Sequence, residues 1–287
     1  MKRILTVVWA VIFISVNLWA HEEPAKTLNE KSKKQDESDK VAKAHLKKTW
    51  AWNYVASEGK VSESGSRIMS MEYDPEGRLS AVEAWKEDTL DLRVEYGFDE
   101  KGNMWADSDF SSKHQLLEWN AYVYDDAGRV ISGKSFDATG LLTGRFFIQG
   151  SEDKTELSFF KYKPGDTLEY KLIYKYASDY DKEDYAEVIK MDAAGKVLMK
   201  VTKKYNAQGQ QIEKSIYDGD SALSFTFTFG YDQQGNMSKI TKRKADGSIE
   251  WYDEYTHNDQ GICTLVKSYD GDGVLTEVVK YVFEYYE

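Results

Sequence analysis

Apolar and polar residues alternate along most of this chain, in segments of 8 to 10 residues separated by short polar turns. In the segment 223–229, Leu or Phe occupies every odd position and Ser or Thr every even position. The same alternation recurs in the segments 117–123, 168–174 and 279–285. Period-two alternation rich in Tyr, Phe, Val and Thr predicts antiparallel strands that are buried on their apolar face.

A turn of the form aromatic-Asp-x-x-Gly-polar-apolar lies between these segments, and Tyr73-Asp74-Pro75-Glu76-Gly77-Arg78-Leu79 is its clearest copy. The turn glycines are 12 to 14 residues apart or close to multiples of that spacing, which indicates a repeat. Asp can accept a backbone N–H bond in a type I turn, and Gly can take the left-handed conformation that follows. The clearest turn residues are Asp74, Gly77, Asp99, Gly102, Asp125, Gly128, Asp232, Gly235, Asp270 and Gly273.

A type I turn followed by a left-handed Gly closes a hairpin with a bulge, and this geometry predicts the register. The residue before Asp should face the second residue after Gly. The predicted pairs are Tyr73 with Leu79, Phe98 with Met104, Tyr124 with Val130, Phe136 with Leu142, Met191 with Val197, Tyr231 with Met237 and Tyr269 with Leu275. Two turns have Asn206 and Lys244 in place of Asp, and we expect them to be less rigid.

The repeat predicts an all-β fold. We expect a long antiparallel meander of short hairpins, roughly sixteen strands in one sheet, curled or spiralled because long open sheets do not stay flat. The unit should occupy residues 49–287. The stretch 176–185 is acidic and rich in tyrosine, and we expect a longer loop there.

The N-terminus has the pattern of a secretory signal peptide over residues 1–20, with Lys2 and Arg3 before an apolar run and Ala20 at a plausible cleavage point. An uncleaved anchor is the alternative, but the apolar run is short for a membrane span. Residues 21–48 predict a charged linker in which Ser38 can start a short helix. The protein should therefore be exported to the periplasm, the cell surface or the medium.

The charge of the chain limits its partners. The net charge is −11, and it becomes −13 once Lys2 and Arg3 leave with the signal peptide. This acidity argues against nucleic acid, and it leaves the signal peptide as the only predicted membrane contact. Cys263 is the single cysteine, so no intrachain disulfide can form, and we interpret it as a small buried apolar residue.

The turns resemble the YD repeats of the RHS family. The matching segments are Met71-Glu72-Tyr73-Asp74-Pro75-Glu76-Gly77-Arg78-Leu79, Tyr122-Val123-Tyr124-Asp125-Asp126-Ala127-Gly128-Arg129-Val130 and Phe229-Gly230-Tyr231-Asp232-Gln233-Gln234-Gly235-Asn236-Met237. The resemblance covers about residues 66–287 and implies a continuous β-sheet strip with an exported or envelope role. In large members such a strip spirals around a toxic C-terminal domain, and here the repeats run to the last residue. The resemblance supplies no catalytic residues.

No motif in the sequence predicts a catalytic centre, a metal site or a cofactor. The four histidines lack metal-ligand spacing. Asp270 and Asp218 lie in segments that resemble calcium-binding loops, but both fit the turn geometry without metal. The residues that best fit ligand binding are Trp85, Trp105, Trp119 and Trp251, since an aromatic sheet face can stack sugar rings.

Three functions are compatible with these patterns. The main hypothesis is a non-enzymatic exported scaffold that binds a protein or a glycan along one face. The first alternative is an enzyme that acts on polysaccharide through a pair of carboxylates. The second alternative is an outer-membrane β-barrel, against which segments that are polar on both faces, such as 239–244, argue.

Overall fold

The computed structural model describes residues 38–180 and 184–287, so the predicted signal peptide and most of the linker lie outside the described residues. A short helix, α1, covers residues 38–43. The strands are β1 Leu46–Ser57, β2 Lys60–Val61, β3 Ser66–Tyr73, β4 Leu79–Lys86, β5 Thr89–Phe98, β6 Met104–Ser111, β7 Leu116–Tyr124, β8 Val130–Asp137, β9 Leu142–Gly150, β10 Glu156–Lys163, β11 Thr167–Lys175, β12 Glu187–Asp192, β13 Val197–Tyr205, β14 Gln211–Asp218, β15 Leu223–Tyr231, β16 Met237–Lys244, β17 Ile249–His257, β18 Cys263–Asp270 and β19 Leu275–Tyr285.

The hairpin turns have the predicted geometry. In the turn after β5, the Asp99 Oδ1 atom accepts the backbone N–H groups of Lys101 and Asn103 at 2.9 and 2.8 Å. Gly102 lies in the left-handed region, with φ of 76°. The structure contains all of the predicted register pairs, from Tyr73 with Leu79 to Tyr269 with Leu275.

Each of these hairpins also contains a second irregularity that the sequence analysis did not predict. In the β5–β6 hairpin, Phe98 faces Met104 but Gly97 faces Ala106, so Trp105 is an extra residue in its strand. The same shift occurs at Ser80, Ile131, Ile212, Ser238 and Thr264 at this end of the barrel, and at Thr143, Leu198 and Thr276 at the other end. An extra residue of this kind increases local twist, which helps a sheet to curve.

The sheet closes on itself, which corrects the expectation of a curled or spiralled sheet of roughly sixteen strands. Each strand from β3 to β19 pairs with the next in antiparallel fashion, and β1 pairs with both β19 and β3. The result is an 18-strand barrel within a 19-stranded sheet, because β2 pairs with β1 beside the ring. Closure satisfies the backbone groups that two open edges would leave unpaired.

One face of the sheet forms the interior of the barrel. It carries two apolar clusters, one centred on β1, β3, β4 and β16–β19 and the other on β8–β13. Val266 and Val279 of the first cluster are 0% exposed. The clustered apolar side chains are shielded from solvent, whereas the opposite face of β3–β5 carries the charged side chains of Arg93, Glu72 and Glu83, so the clustered face is the inside. Around the two clusters the interior is therefore packed rather than an aqueous channel.

The connections at one end of the barrel cover part of this interior. In the connection between β11 and β12, Tyr176, Tyr180 and Tyr185 are buried, and Tyr176 contacts both of the others edge to face. This is where the sequence predicted a longer loop. Helix α1 lies against the turn at Gly77, at the same end. Among the described residues, no helix has the length and apolar character needed to cross a membrane.

A candidate binding surface on the outer wall

Most of the outer wall is polar and is held by ion pairs between neighbouring strands. On β3–β5, the Arg93 guanidinium contacts Glu72, Glu83 and Glu95 at 3.1, 2.9 and 2.7 Å. Further cross-strand pairs join Lys175 with Glu187, Lys204 with Glu213 and Lys239 with Glu254. Charged pairs of this kind are typical of a wall that faces water.

The outer face of β6–β10 differs, because aromatic rings dominate it. Its members, which we call the aromatic surface, are Trp105, Trp119, Phe136, Phe147, Phe160 and Tyr162. Trp119 stacks on Phe136 with ring centroids 4.3 Å apart. Phe147 stacks on both Phe160 and Tyr162, at 4.7 and 5.5 Å. Lys171 and Arg145 lie over Phe160 and Tyr162 at 5.1 and 5.3 Å, and the remaining ring surface forms an apolar patch on the outer wall.

Hydrogen bonds on the inner side of strand β7 explain why Trp119 faces outward. Its apolar side, with Leu117, Trp119 and Val123, was expected to pack inside but instead points to solvent, and Val123 is 52% exposed. The polar side faces the interior, where Asn120 and Tyr122 both donate hydrogen bonds to the buried carboxylate of Asp107. A buried carboxylate needs such donors, so these bonds fix the orientation of the strand.

A cleft of about 420 Å³ lies at one end of the aromatic surface, between the turn after β5 and the turn after β7. Strands β6 and β7 pair only as far as Ala106 and Ala121, and beyond these residues the two hairpin tips separate. The residues that line the cleft include Asp99, Lys101, Asn103, Trp105, Val123, Asp125 and Asp126. Trp105 is 53% exposed, which makes it the most exposed aromatic ring of the aromatic surface.

Two turn carboxylates of the cleft are held in the anionic form. A hydrogen bond from the Asn103 side chain lowers the pKa of Asp99. Partial burial would raise the pKa of Asp125, but hydrogen bonds and the charge of Arg129 lower it below its ordinary value. The cleft therefore brings two carboxylates near a tryptophan, as the enzyme hypothesis requires. A general acid for glycoside hydrolysis needs a raised pKa, which neither group has.

The other predicted binding residues lie in different surroundings. Trp85 is on the outer wall, but the Arg67 guanidinium lies over its ring at 4.4 Å. Trp251 points to the interior and packs near Phe227, with centroids 6.0 Å apart. The structure thus places Trp105 and Trp119 on one surface and separates Trp85 and Trp251 from it. Sequence reasoning did not single out Phe136, Phe147, Phe160 and Tyr162, although the alternation of Phe147 and Phe160 with the buried Phe146 and Phe159 could have placed those two outside.

The remaining polar residues singled out in the sequence have structural surroundings. Asp270 Oδ1 accepts the backbone N–H groups of Asp272 and Val274, as in the other turns. His257 pairs with Cys263 across β17 and β18, and burial raises the pKa of the Cys263 thiol to about 11. Over residues 38–180 and 184–287, no group of three or more His, Cys, Asp or Glu side chains is placed to hold a metal ion.

Fold and surface together define a closed antiparallel β-barrel with a packed interior and an aromatic patch on its outer wall. No protein-family model matches the sequence, and the search of curated proteins finds no match. The RHS likeness therefore stays a resemblance of the turns.

Solved structures show a weak likeness. A porin-like protein from Bacteroides uniformis is 10% identical, with 84% of this chain and 97% of that chain covered and a TM-score of 0.31. A porin-like protein from Bacteroides vulgatus is 8% identical, with 81% and 97% covered and a TM-score of 0.30. A TcdB2–TccC3 structure is 12% identical, with 76% of this chain but 14% of that chain covered and a TM-score of 0.31. Similarity at this level carries no conclusion about function.

Proposed function

We propose that the protein is an exported, non-enzymatic β-barrel that binds a glycan or a protein on its aromatic surface. The observation that carries this proposal is the contrast within the outer wall. Ion pairs are frequent on β3–β5 and β11–β17, and rings there such as Trp85 and Tyr252 have a cation over them. The wall of β6–β10 instead presents two groups of stacked rings together with the exposed Trp105 and Val123. An apolar patch with a polar surround is typical of an interaction site. The exported location rests on the pattern of residues 1–20.

The test is a binding screen against a glycan array and an extract of envelope proteins, with variants that sample the outer wall. Phe147→Ala and Trp119→Ala remove rings from the aromatic surface, and we expect both to weaken binding. Trp85→Ala removes an outer ring that Arg67 covers, so it serves as the matched control and should bind like the wild type. Binding that is equally strong in all variants, or absent from the wild type, would refute the proposal.

A second candidate function is favoured by closure itself. A closed barrel with an even number of strands is the architecture of outer-membrane proteins. Closure therefore fits the outer-membrane alternative, whereas the scaffold hypothesis expected a curled or spiralled open sheet. The chemistry of the two faces supports a water-facing wall instead, because Arg93, Glu83 and Glu72 lie on the outside and Val266 and Val279 on the inside. A lipid-facing Arg or Lys costs about 2–4 kcal/mol at the bilayer midplane.

Fractionation separates the two functions. We expect the protein in the soluble fraction after cell disruption without detergent, and we expect it to remain folded in detergent-free buffer. Recovery only from the outer membrane, with extraction dependent on detergent, would support the outer-membrane alternative and overturn the water-facing barrel.

A further inference from the structure

We propose that the cleft at Trp105 binds a neutral sugar ring, with the apolar face of the sugar stacked on the indole and its hydroxyl groups bonded to the turn carboxylates. This inference rests on the proposed function and names the ligand class and the site within the aromatic surface.

The repeat itself marks Trp105 as an exception. The third residue after the turn glycine is the extra, outward residue of each bulge at this end of the barrel. In the five equivalent hairpins that residue is Ser80, Ile131, Ile212, Ser238 or Thr264. Only in the β5–β6 hairpin is it aromatic, and there it lies beside a cleft. The other hairpins form without an aromatic ring at this position, so folding does not explain Trp105 and ligand binding does.

The backbone beneath the indole is shaped to hold it. Gly97 lies under Trp105, and a Cβ atom at Gly97 would come within 2.9 Å of the indole Nε1. The absence of a side chain therefore allows the indole to lie close against strand β5. A ring held in this way has little freedom to lose when a ligand stacks on it, which favours binding.

The charged groups at the rim of the cleft favour neutral sugars over anionic sugars. Asp99, Asp125 and Asp126 supply carboxylates from two turns, and Lys101 is the lysine that lines the cleft with them. Hydrogen bonds from the turn backbone hold the Asp99 and Asp125 carboxylates in place. Arg129 pairs with Asp125 at 2.7 Å, so three carboxylates face two cations at the rim and leave an excess of one negative charge. A carboxylate oxygen can accept more than one bond, so these fixed acceptors suit the hydroxyl donors of a sugar, and the net negative charge disfavours uronic or sulfated sugars.

The experiment is a titration of the full-length protein with oligosaccharides of neutral hexoses, N-acetylhexosamines and uronic acids, followed by tryptophan fluorescence. We expect neutral oligosaccharides to bind and to shift the emission of Trp105, and uronic acids to bind at least about tenfold more weakly. Trp105→Ala should abolish the fluorescence shift and weaken binding about tenfold, or about 1.4 kcal/mol. Trp105→Tyr should restore most of the affinity, because it restores a ring.

Gly97→Ala keeps the indole but displaces it, so it should weaken binding without removing a tryptophan. Trp119→Ala removes a ring outside the cleft, so it should weaken binding of the neutral sugar less than Trp105→Ala does. If Trp105→Ala and Gly97→Ala bind like the wild type while Trp119→Ala and Phe147→Ala do not, the aromatic surface binds its ligand elsewhere and the cleft assignment is wrong. If no oligosaccharide binds but a protein partner does, the assignment of a sugar to the cleft is wrong and the proposed function stands.

Discussion

The hydroxyl group of Tyr286 donates a hydrogen bond of 2.6 Å to the backbone carbonyl oxygen of Tyr73, 213 positions away in the chain. The Tyr286 backbone N–H also bonds to the carbonyl of His45, just before β1. These bonds join the end of the last strand to β3 across β1, where the barrel closes. Similar bonds run from Tyr124 to Met104 O and from Tyr231 to Gln211 O, each over 20 positions, within the meander. The barrel seam therefore uses the same tyrosine-to-carbonyl bond as the repeat.

Tyr286→Phe should lower the free energy of unfolding by about 1 kcal/mol, because it removes one hydrogen bond and keeps the ring. Urea denaturation followed by far-ultraviolet circular dichroism measures the change. Tyr285→Phe is the control, since the Tyr285 ring is exposed on the adjacent position, and it should leave stability unchanged. Equal stability of the wild type and Tyr286→Phe would show that the seam does not depend on this bond.

The turns at Asn206 and Lys244 differ from each other in a way that the sequence did not predict. Asn206 Oδ1 accepts the N–H groups of Gln208 and Gln210, as an Asp does in the other turns. Lys244 has no acceptor, and there Asp246 bonds to the Ser248 N–H instead. Lys244→Asn should therefore stabilise the protein by about 0.5–1 kcal/mol by adding the missing acceptor, as measured by thermal unfolding. Asn206→Asp should change the midpoint little, and a destabilised Lys244→Asn variant would contradict this account.

Local geometry was predictable from the sequence, whereas closure was not. Asp99 and Gly102 define a turn within five residues, and the register of Phe98 with Met104 follows from that turn alone. The pairing of β1 with β19 joins Ala51 to Tyr281, and an open meander would show the same alternation and the same turns. The outward position of Trp105 was also not predictable from the sequence. Trp105 is the extra residue in β6, and it interrupts the alternation from which inward and outward positions are predicted.

The ion cluster around Arg93 should contribute to stability because its members are partly buried. The side chains of Arg93 and Glu83 are 17% and 12% exposed, compared with 50% and 42% for Lys47 and Glu284. Arg93→Gln should lower the free energy of unfolding by about 1–3 kcal/mol, between the values for surface and buried pairs. Lys47→Gln should have no measurable effect. Urea denaturation at low and high NaCl is the appropriate measurement, because the denaturant guanidinium chloride is itself a salt that screens ion pairs. Equal effects of Arg93→Gln and Lys47→Gln would refute the distinction.

The buried carboxyl group of Asp253 should make the barrel less stable as the pH rises. Burial raises its pKa from 3.8 to about 6, so between these values the folded protein binds more protons than the unfolded chain. The contribution of Asp253 to the free energy of unfolding therefore falls as the pH rises from about 4 to 7, by roughly 2–3 kcal/mol. Groups with lowered pKa, such as Glu72 and Glu83, change stability in the opposite direction at lower pH. The difference between wild type and Asp253→Asn isolates the effect of Asp253. Asp253→Asn should be more stable than the wild type at pH 8 and should lose that advantage at pH 4. If the urea midpoints of the wild type and Asp253→Asn differ by the same amount at both pH values, Asp253 does not titrate in this way.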